Sequence, residues 1–87
     1  MNSNDEEKLN RLISGVAQGC GQCLDGIYEL AGGRMYAVAL SVAGKNDAED
    51  VLHDSFIKIA RFAKKYRLYT NPYAWLLKIV RNTALDY

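Results

Sequence analysis

The segment from Tyr66 to Asn82 concentrates the residue types that bind unpaired nucleotides. Aromatic rings alternate there with basic and amide groups: Tyr66, Arg67, Tyr69, Tyr73, Trp75, Lys78, Arg81 and Asn82. Aromatic faces stack on unpaired bases for about 1–3 kcal/mol each and basic groups follow the phosphates, while an Asn side chain can pair with a base edge. The segment therefore predicts a surface for single-stranded nucleic acid. Because aromatics at helical spacing are more often core residues, we also expect Leu76, Val80 and one aromatic, such as Trp75, to be buried.

Cys20 and Cys23 form a Cys-Gly-Gln-Cys motif, which by itself fits a redox pair or half of a zinc site. A thioredoxin-like centre needs a βαβ context, which the sequence does not show, and a zinc site needs two further ligands where the chain has one His and no other Cys. We therefore expect a structural or incidental role, since a free Cys commonly behaves as a small buried apolar residue.

Catalytic motifs are missing from the sequence. There is no glycine-rich phosphate loop followed by Lys and Ser or Thr, no carboxylate set at metal-ligand spacing, and His53 is the one imidazole. The sequence thus favours a binding module over an enzyme, and it predicts neither a metal nor a cofactor.

Composition and charge suggest one domain with two kinds of partner. The chain has 87 residues, of which 49% are hydrophobic and 24% charged, which suits a single small globular domain. Residues 1–55 carry four basic and nine acidic side chains, a net charge of −5, whereas residues 56–87 carry seven basic and one acidic, a net charge of +6. A polyanion would be attracted to the C-terminal part, and the acidic part favours a basic protein surface.

Membrane and secretion signals are not apparent in the sequence. No apolar stretch reaches the roughly 18 residues of a membrane span, and no basic segment followed by an apolar one marks a secretion signal. A cytoplasmic location without membrane contact is the resulting expectation.

Apolar spacing and cap residues predict an all-α fold, a compact bundle of about four helices in one domain. We expect the helices at about residues 6–18, 22–43, 47–65 and 72–87, and disorder at residues 1–5. The run from Asn46 to Glu49 has the pattern of a capping box at the start of the third helix. Asn71 followed by Pro72 supplies an N-cap and a first helical residue for the fourth.

Two sequence blocks carry a family resemblance. The first is DAEDVLHDSFIK, from Asp47 to Lys58, and the second is AWLLKIVRNTALDY, from Ala74 to Tyr87. In order and spacing they resemble the region 2 domain of bacterial extracytoplasmic-function sigma factors, and the resemblance covers the chain from about Glu7. It implies the fold of that domain and a role in transcription initiation.

The resemblance implies that the third helix docks on the clamp helices of the RNA polymerase β′ subunit. The contact residues that it implies are Asp50, His53, Asp54, Ile57 and Lys58. Taken alone, this polar stripe fits an ordinary solvated helix face. The family usually has Gln where His53 stands, so we expect the contact either to be altered or to become pH-sensitive, because histidine changes charge near neutral pH.

The resemblance also implies that the segment 66–70 and the start of the fourth helix capture a base flipped from the non-template strand of the promoter minus-ten element. Extruding a base costs a few kcal/mol, which a stacking ring such as Tyr66 or Tyr69 and hydrogen bonds from Asn82 are expected to offset. Arg67, Lys78 and Arg81 would then hold the phosphates of the separated strand.

A further partner follows from the same resemblance, and two alternatives stand beside it. An anti-sigma factor is an expected partner beside polymerase and promoter DNA, and no part of this chain corresponds to the region 4 domain that reads the minus-thirty-five element in such sigma factors. Two alternatives stay open: a helical interaction module that binds polymerase or an anti-sigma factor without melting DNA, and a thiol or metal sensor that uses the cysteine pair.

Overall fold

The computed structural model describes residues 3–68 and 70–87, which form four α-helices and one 3-10 turn. Their bounds are α1 Ser3–Ala17, α2 Gln22–Ala43, α3 Ala48–Phe62 and α4 Pro72–Leu85, and the 3-10 turn Ala63–Lys65 extends α3. The helices form one bundle with a radius of gyration of 12.0 Å. The predicted all-α fold is confirmed.

Helix α2 lies at the centre and packs against α1, α3 and α4. Each helix turns an apolar stripe inward, as helical spacing requires. The largest fully buried side chains include Leu9 and Ile13 from α1, Ile27 and Met35 from α2, Val51 and Ile59 from α3, and Leu76 and Val80 from α4. This core fixes the directions in which the remaining faces of α3 and α4 point.

Helix α1 begins at Ser3, earlier than the spacing predicts, so the expected disorder of residues 1–5 is wrong for residues 3–5. Its first turn contains Asp5 and Glu6, whose negative charges suit a helix N-terminus. Both side chains are half-buried, so the turn is already packed on the bundle. Residues 1 and 2 lie outside the described residues.

The turn before α3 depends on a glycine and not on the predicted capping box. Asp47 is the N-cap, and its side chain makes no cap hydrogen bond. Gly44 has a φ of 89°, and its carbonyl accepts the N–H of Ala48 at 3.0 Å. This backbone bond closes the turn and the N-cap is Asp47 and not Asn46, so the predicted capping box of Asn46 and Glu49 is wrong.

The start of α4 follows the sequence signal. Asn71 Oδ1 accepts the backbone N–H of Ala74 at 3.0 Å, and Pro72 occupies the first turn, where a missing N–H has no consequence. Pro72 is fully buried. The predicted cap is therefore confirmed, and it fixes where α4 leaves the preceding loop.

None of the helices within residues 3–68 and 70–87 is long and apolar enough to cross a membrane.

Candidate functional site

The outward face of α4 carries three of the predicted nucleic-acid residues. Tyr73, Leu76, Val80, Thr83 and Ala84 face the core. Lys78, Arg81 and Asn82, which helical spacing places on the opposite side, are all exposed. Lys78 and Asn82 are four residues apart, and Arg81 is three from Lys78, so these side chains are neighbours on one surface. The α4 face offers two cations and one amide that can pair with a base.

An open groove of about 570 Å³ runs between α2 and α4 beside this face. Lys78 and Arg81 line it together with apolar side chains from both helices, among them Val38 and Leu77. The groove thus combines an apolar floor with two cationic groups, a combination that suits the sugar-base and phosphate parts of a nucleic-acid strand.

Arg34 is a further cation on this side of the bundle, and its sequence neighbours do not mark it as a site residue. Its side chain is exposed, and its guanidinium carbon lies 4.9 Å from the centre of the Tyr73 ring. This is a cation–π contact between α2 and α4. Helical spacing relates Arg34 to the groove residues Ala37, Val38 and Ser41. This spacing indicates a site residue only when α2 is known to pack on α4.

Tyr66 does not offer the open stacking face that was predicted. The residue is 8% exposed, and its hydroxyl donates to Asn10 Oδ1 on α1 at 2.6 Å. Its ring lies 5.0 Å from the Trp75 ring, centre to centre, at an interplanar angle of 50°. Burial raises the pKa of the Tyr66 phenol. The predicted stacking face is closed because the ring packs between Asn10 on α1 and Trp75 on α4.

Tyr73 is buried as well, at 4% exposed, and burial raises the pKa of its phenol. Trp75 is half-buried. Arg67 is exposed on the loop before α4, and Tyr69 lies outside the described residues. Among the described rings of the predicted set, only Trp75 therefore keeps a partly open surface, while the predicted cations and Asn82 are accessible. Whether any of them contacts DNA stays a prediction.

The outward face of α3 holds the predicted polymerase contacts in two groups. Asp50, His53 and Ile57 are exposed on the same surface, and Ile57 is 50% exposed. Asp54 and Lys58 are half-buried on the flank that faces the end of α4. Asp54 Oδ2 accepts a hydrogen bond from the Tyr87 hydroxyl. Ile57 also lines the pocket on that flank with Asp54 and Lys58, so it connects the two groups and the five residues form one continuous surface of α3.

A comparison with protein-family models connects these faces to a known domain. The model of sigma-70 region 2 matches residues 27–87, well over half of the chain. The chain belongs to the sigma-70 region 2 family. No curated protein and no solved structure matches it.

The family match assigns a role to the domain. As a sigma-70 region 2 domain, the chain has a sigma factor role in promoter recognition and RNA polymerase binding. The matched part contains α3, α4, the loop between them and α2 from Ile27 onward. Both outward faces of the region 2 domain, the acidic and apolar one on α3 and the cationic one on α4, lie within it.

A third surface of this region 2 domain lies between α2 and α3. Tyr28 is 57% exposed, and its ring centre is 5.9 Å from that of Phe56. Leu24 and Leu52 line the same groove, with His53 at its border with the α3 face. The exposed apolar surface next to Asp50 and His53 is thus wider than the predicted stripe, which enlarges the area that a protein partner could cover.

Proposed function

We propose that this region 2 domain docks on the RNA polymerase β′ clamp helices through α3 and holds the non-template strand of the minus-ten element on α4. The proposal includes membership of the extracytoplasmic-function type of sigma factor, with an anti-sigma factor as a further partner. The observation that carries it is the accessible row of Lys78, Arg81 and Asn82 on α4, inside the segment that matches the family.

The α3 face supports the polymerase part of the proposal. Ile57 supplies an exposed apolar centre, and Asp50 supplies negative charge next to it. Buried apolar contacts at the centre with charges at the rim are the usual arrangement of a specific protein interface. An acidic rim also speeds association with a basic partner surface.

Base capture is the finer part of the proposal. Since Tyr66 and Tyr73 are buried, Trp75 is the described ring of this set that is left to stack on a flipped base. Arg67 on the loop and Asn82 on α4 are exposed, and they would hold the phosphate and the base edge. Tyr69 stays a second candidate outside the described residues.

Paired variants separate the two interfaces. Asp50→Asn with Ile57→Ala is expected to lower affinity for RNA polymerase core enzyme at least about ten-fold and to leave oligonucleotide binding unchanged. Lys78→Gln with Arg81→Gln is expected to weaken oligonucleotide binding and to leave the affinity for core enzyme unchanged. Fluorescence anisotropy with a labelled single-stranded minus-ten oligonucleotide, a scrambled strand and core enzyme would measure all three affinities.

Matched controls come from exposed charges elsewhere on the domain. Glu29→Gln on α2 and Lys45→Gln before α3 remove the same charges from other surfaces. Both are expected to leave both affinities within about two-fold of the original. Polymerase binding without any preference for the minus-ten strand would reject the DNA part and favour the interaction module. Equal effects of the α3 variant and its Glu29→Gln control would reject the docking face.

A further inference from the structure

The cysteine pair lies at the junction of α1 and α2. Cys20 is in the turn and exposed, and Cys23 is in the first turn of α2 and half-buried. The Cys23 thiol donates a hydrogen bond to the Cys20 sulfur, and the two sulfur atoms are 2.8 Å apart. Two thiols in direct contact need little movement to form a bond.

The turn holds Cys20 in this position from its backbone. Gly19 has a φ of 99°, and its N–H donates to the carbonyl of Val16 at 2.9 Å. The N–H of Cys20 then donates to the carbonyl of Gly15, also at 2.9 Å. These two bonds are a Schellman closure of α1, which favours glycine at position 19. Cys20 is thereby placed just before the N-terminus of α2.

Cys23 is placed by a contact between the helices. A Cβ atom added at Gly15 would lie 2.5 Å from Cys23 Sγ, so the sulfur occupies space that the glycine leaves open. Cys23 also packs against the hydrophobic core. The half-buried sulfur is therefore held against α1, while its partner faces solvent.

The two thiols differ in pKa because their surroundings differ. The hydrogen bond from the Cys23 thiol, with further bonds from the backbone N–H groups of Cys23 and Gln22, lowers the pKa of Cys20. The hydrogen bond to Cys20 raises the pKa of Cys23. An accessible acidic thiol beside a less acidic second thiol is the usual arrangement of a peroxide-reactive pair.

We propose that Cys20 and Cys23 are a reversible redox site that reacts with hydroperoxides, with Cys20 as the attacking group and Cys23 as the resolving thiol. The Cys20 sulfur attacks one peroxide oxygen, the O–O bond breaks, and a sulfenic acid forms while the second oxygen leaves and is protonated to water or an alcohol. The Cys23 sulfur then attacks the sulfenic sulfur, the S–O bond breaks and water leaves. The pair loses two electrons, the peroxide gains them, and a dithiol reductant reverses the change.

The surroundings favour this chemistry over metal binding. Within residues 3–68 and 70–87 no group of three His, Cys, Asp or Glu side chains could hold a metal ion. Both cysteines also precede Ile27, where the family match begins, so the redox proposal does not rest on the proposed function.

Mass spectrometry of the intact chain tests the proposal. Treatment with one equivalent of hydrogen peroxide is expected to lower the mass by about 2 Da without dimer formation, and dithiothreitol is expected to restore it. Cys23→Ser is expected to gain about 16 Da at Cys20, since the sulfenic acid has no resolving partner. Cys20→Ser is expected to react at least about ten-fold more slowly than Cys23→Ser.

A pair of glycine variants tests the geometry. Gly15→Ala places a methyl group against Cys23 Sγ and is expected to slow disulfide closure. Sulfenic acid then accumulates before the mass falls by about 2 Da. Gly21→Ala adds the same methyl group between the cysteines, where no atom lies within 4 Å, and is expected to close like the original chain. Circular dichroism confirms that each variant folds.

Two outcomes overturn the proposal. One is a chain that yields only intermolecular dimers or over-oxidised cysteine, and the other is equal peroxide rates for the two serine variants.

Discussion

The Tyr66 ring connects α1 to the loop before α4, with its hydroxyl bonded to Asn10 and its ring tilted against Trp75. Tyr66→Phe removes one buried hydrogen bond and keeps the ring, so the free energy of unfolding is expected to fall by about 0.5–1.5 kcal/mol. Tyr66→Ala also removes the packing and is expected to cost about 3–5 kcal/mol. Urea denaturation followed by circular dichroism measures both values.

Asn10→Ala is the matched control for the Tyr66 prediction. If the two side chains stabilise the fold through their mutual bond, the double variant Asn10→Ala with Tyr66→Phe loses less stability than the sum of the single variants. Strict additivity of the two losses would show that the bond contributes nothing measurable.

The burial of Tyr66 marks a limit of prediction at this scale. The sequence shows an aromatic residue beside a basic one, which fits a stacking surface as well as a core. Its hydrogen-bond partner Asn10 is 56 positions away in the chain, and no local pattern connects the two. By contrast, Lys78, Arg81 and Asn82 follow from local spacing, because a helix that buries Leu76 and Val80 must turn them outward.

Tyr87 gives a pH-dependent prediction. Its hydrogen bond to Asp54 raises the pKa of the phenol from 10.0 to about 12. Because folding favours the protonated phenol, the stability that this contact adds is complete below about pH 10 and is lost as the pH rises through about 12. Tyr87→Phe is therefore expected to be less stable than the original chain at about pH 8, and the difference is expected to disappear above about pH 12.

Ultraviolet absorbance of the phenolate tests the same assignment. The Tyr87→Phe variant is expected to lose one late-titrating tyrosine from the alkaline part of the curve, whereas Tyr28→Phe, which changes an exposed ring elsewhere, keeps it. An unchanged late titration in Tyr87→Phe would mean that Asp54 does not accept this bond in solution.

The elements of the fold differ in how their ends are specified. The start of α4 follows from its local residues, since Asn71 and Pro72 supply the cap by themselves. The start of α3 depends on the backbone of Gly44, whose φ of 89° and ψ of 170° lie in a region restricted to glycine. The sequence pattern at Asn46 and Glu49 resembles a capping box, but a cap bond needs a geometry that the Gly44 turn does not produce.

Helix-end variants follow from this difference. Gly44→Ala is expected to lower the free energy of unfolding by about 1–3 kcal/mol, because alanine must adopt a strained conformation there. Asn46→Ala and Glu49→Ala are each expected to stay within about 0.5 kcal/mol. Thermal denaturation measures all three variants. A larger loss of stability from Asn46→Ala than from Gly44→Ala would show that the capping box does stabilise the start of α3.

Gly33→Ala is the control for the glycine prediction. Gly33 lies within α2, is exposed, and has no atom within 4 Å of an added Cβ. Alanine is expected to stabilise the helix there by up to about 1 kcal/mol, since it favours helical backbone. Opposite signs at the two positions would show that backbone conformation, and not added volume, decides the effect.

At the scale of the whole molecule, charge is unevenly distributed along the chain. The acidic part, residues 1–55, and the basic part, residues 56–87, follow from composition alone. The all-α fold and the family follow from periodicity and the two sequence blocks. The groove between α2 and α4 could not be predicted from the sequence, because no local pattern shows that α2 packs on this side of α4. Arg34 was missed for the same reason.

The cationic face predicts how nucleic-acid binding responds to salt. Each phosphate contact with a single strand contributes about 0.7 to the slope of log affinity against log salt concentration. If Lys78 and Arg81 each hold one phosphate, Lys78→Gln with Arg81→Gln is expected to make this slope less steep by about 1.4. Lys45→Gln removes a cation from the α2–α3 turn and is expected to leave the slope unchanged. Anisotropy titrations at several salt concentrations compare them, and equal slopes for all three proteins would place the strand on another surface of the bundle.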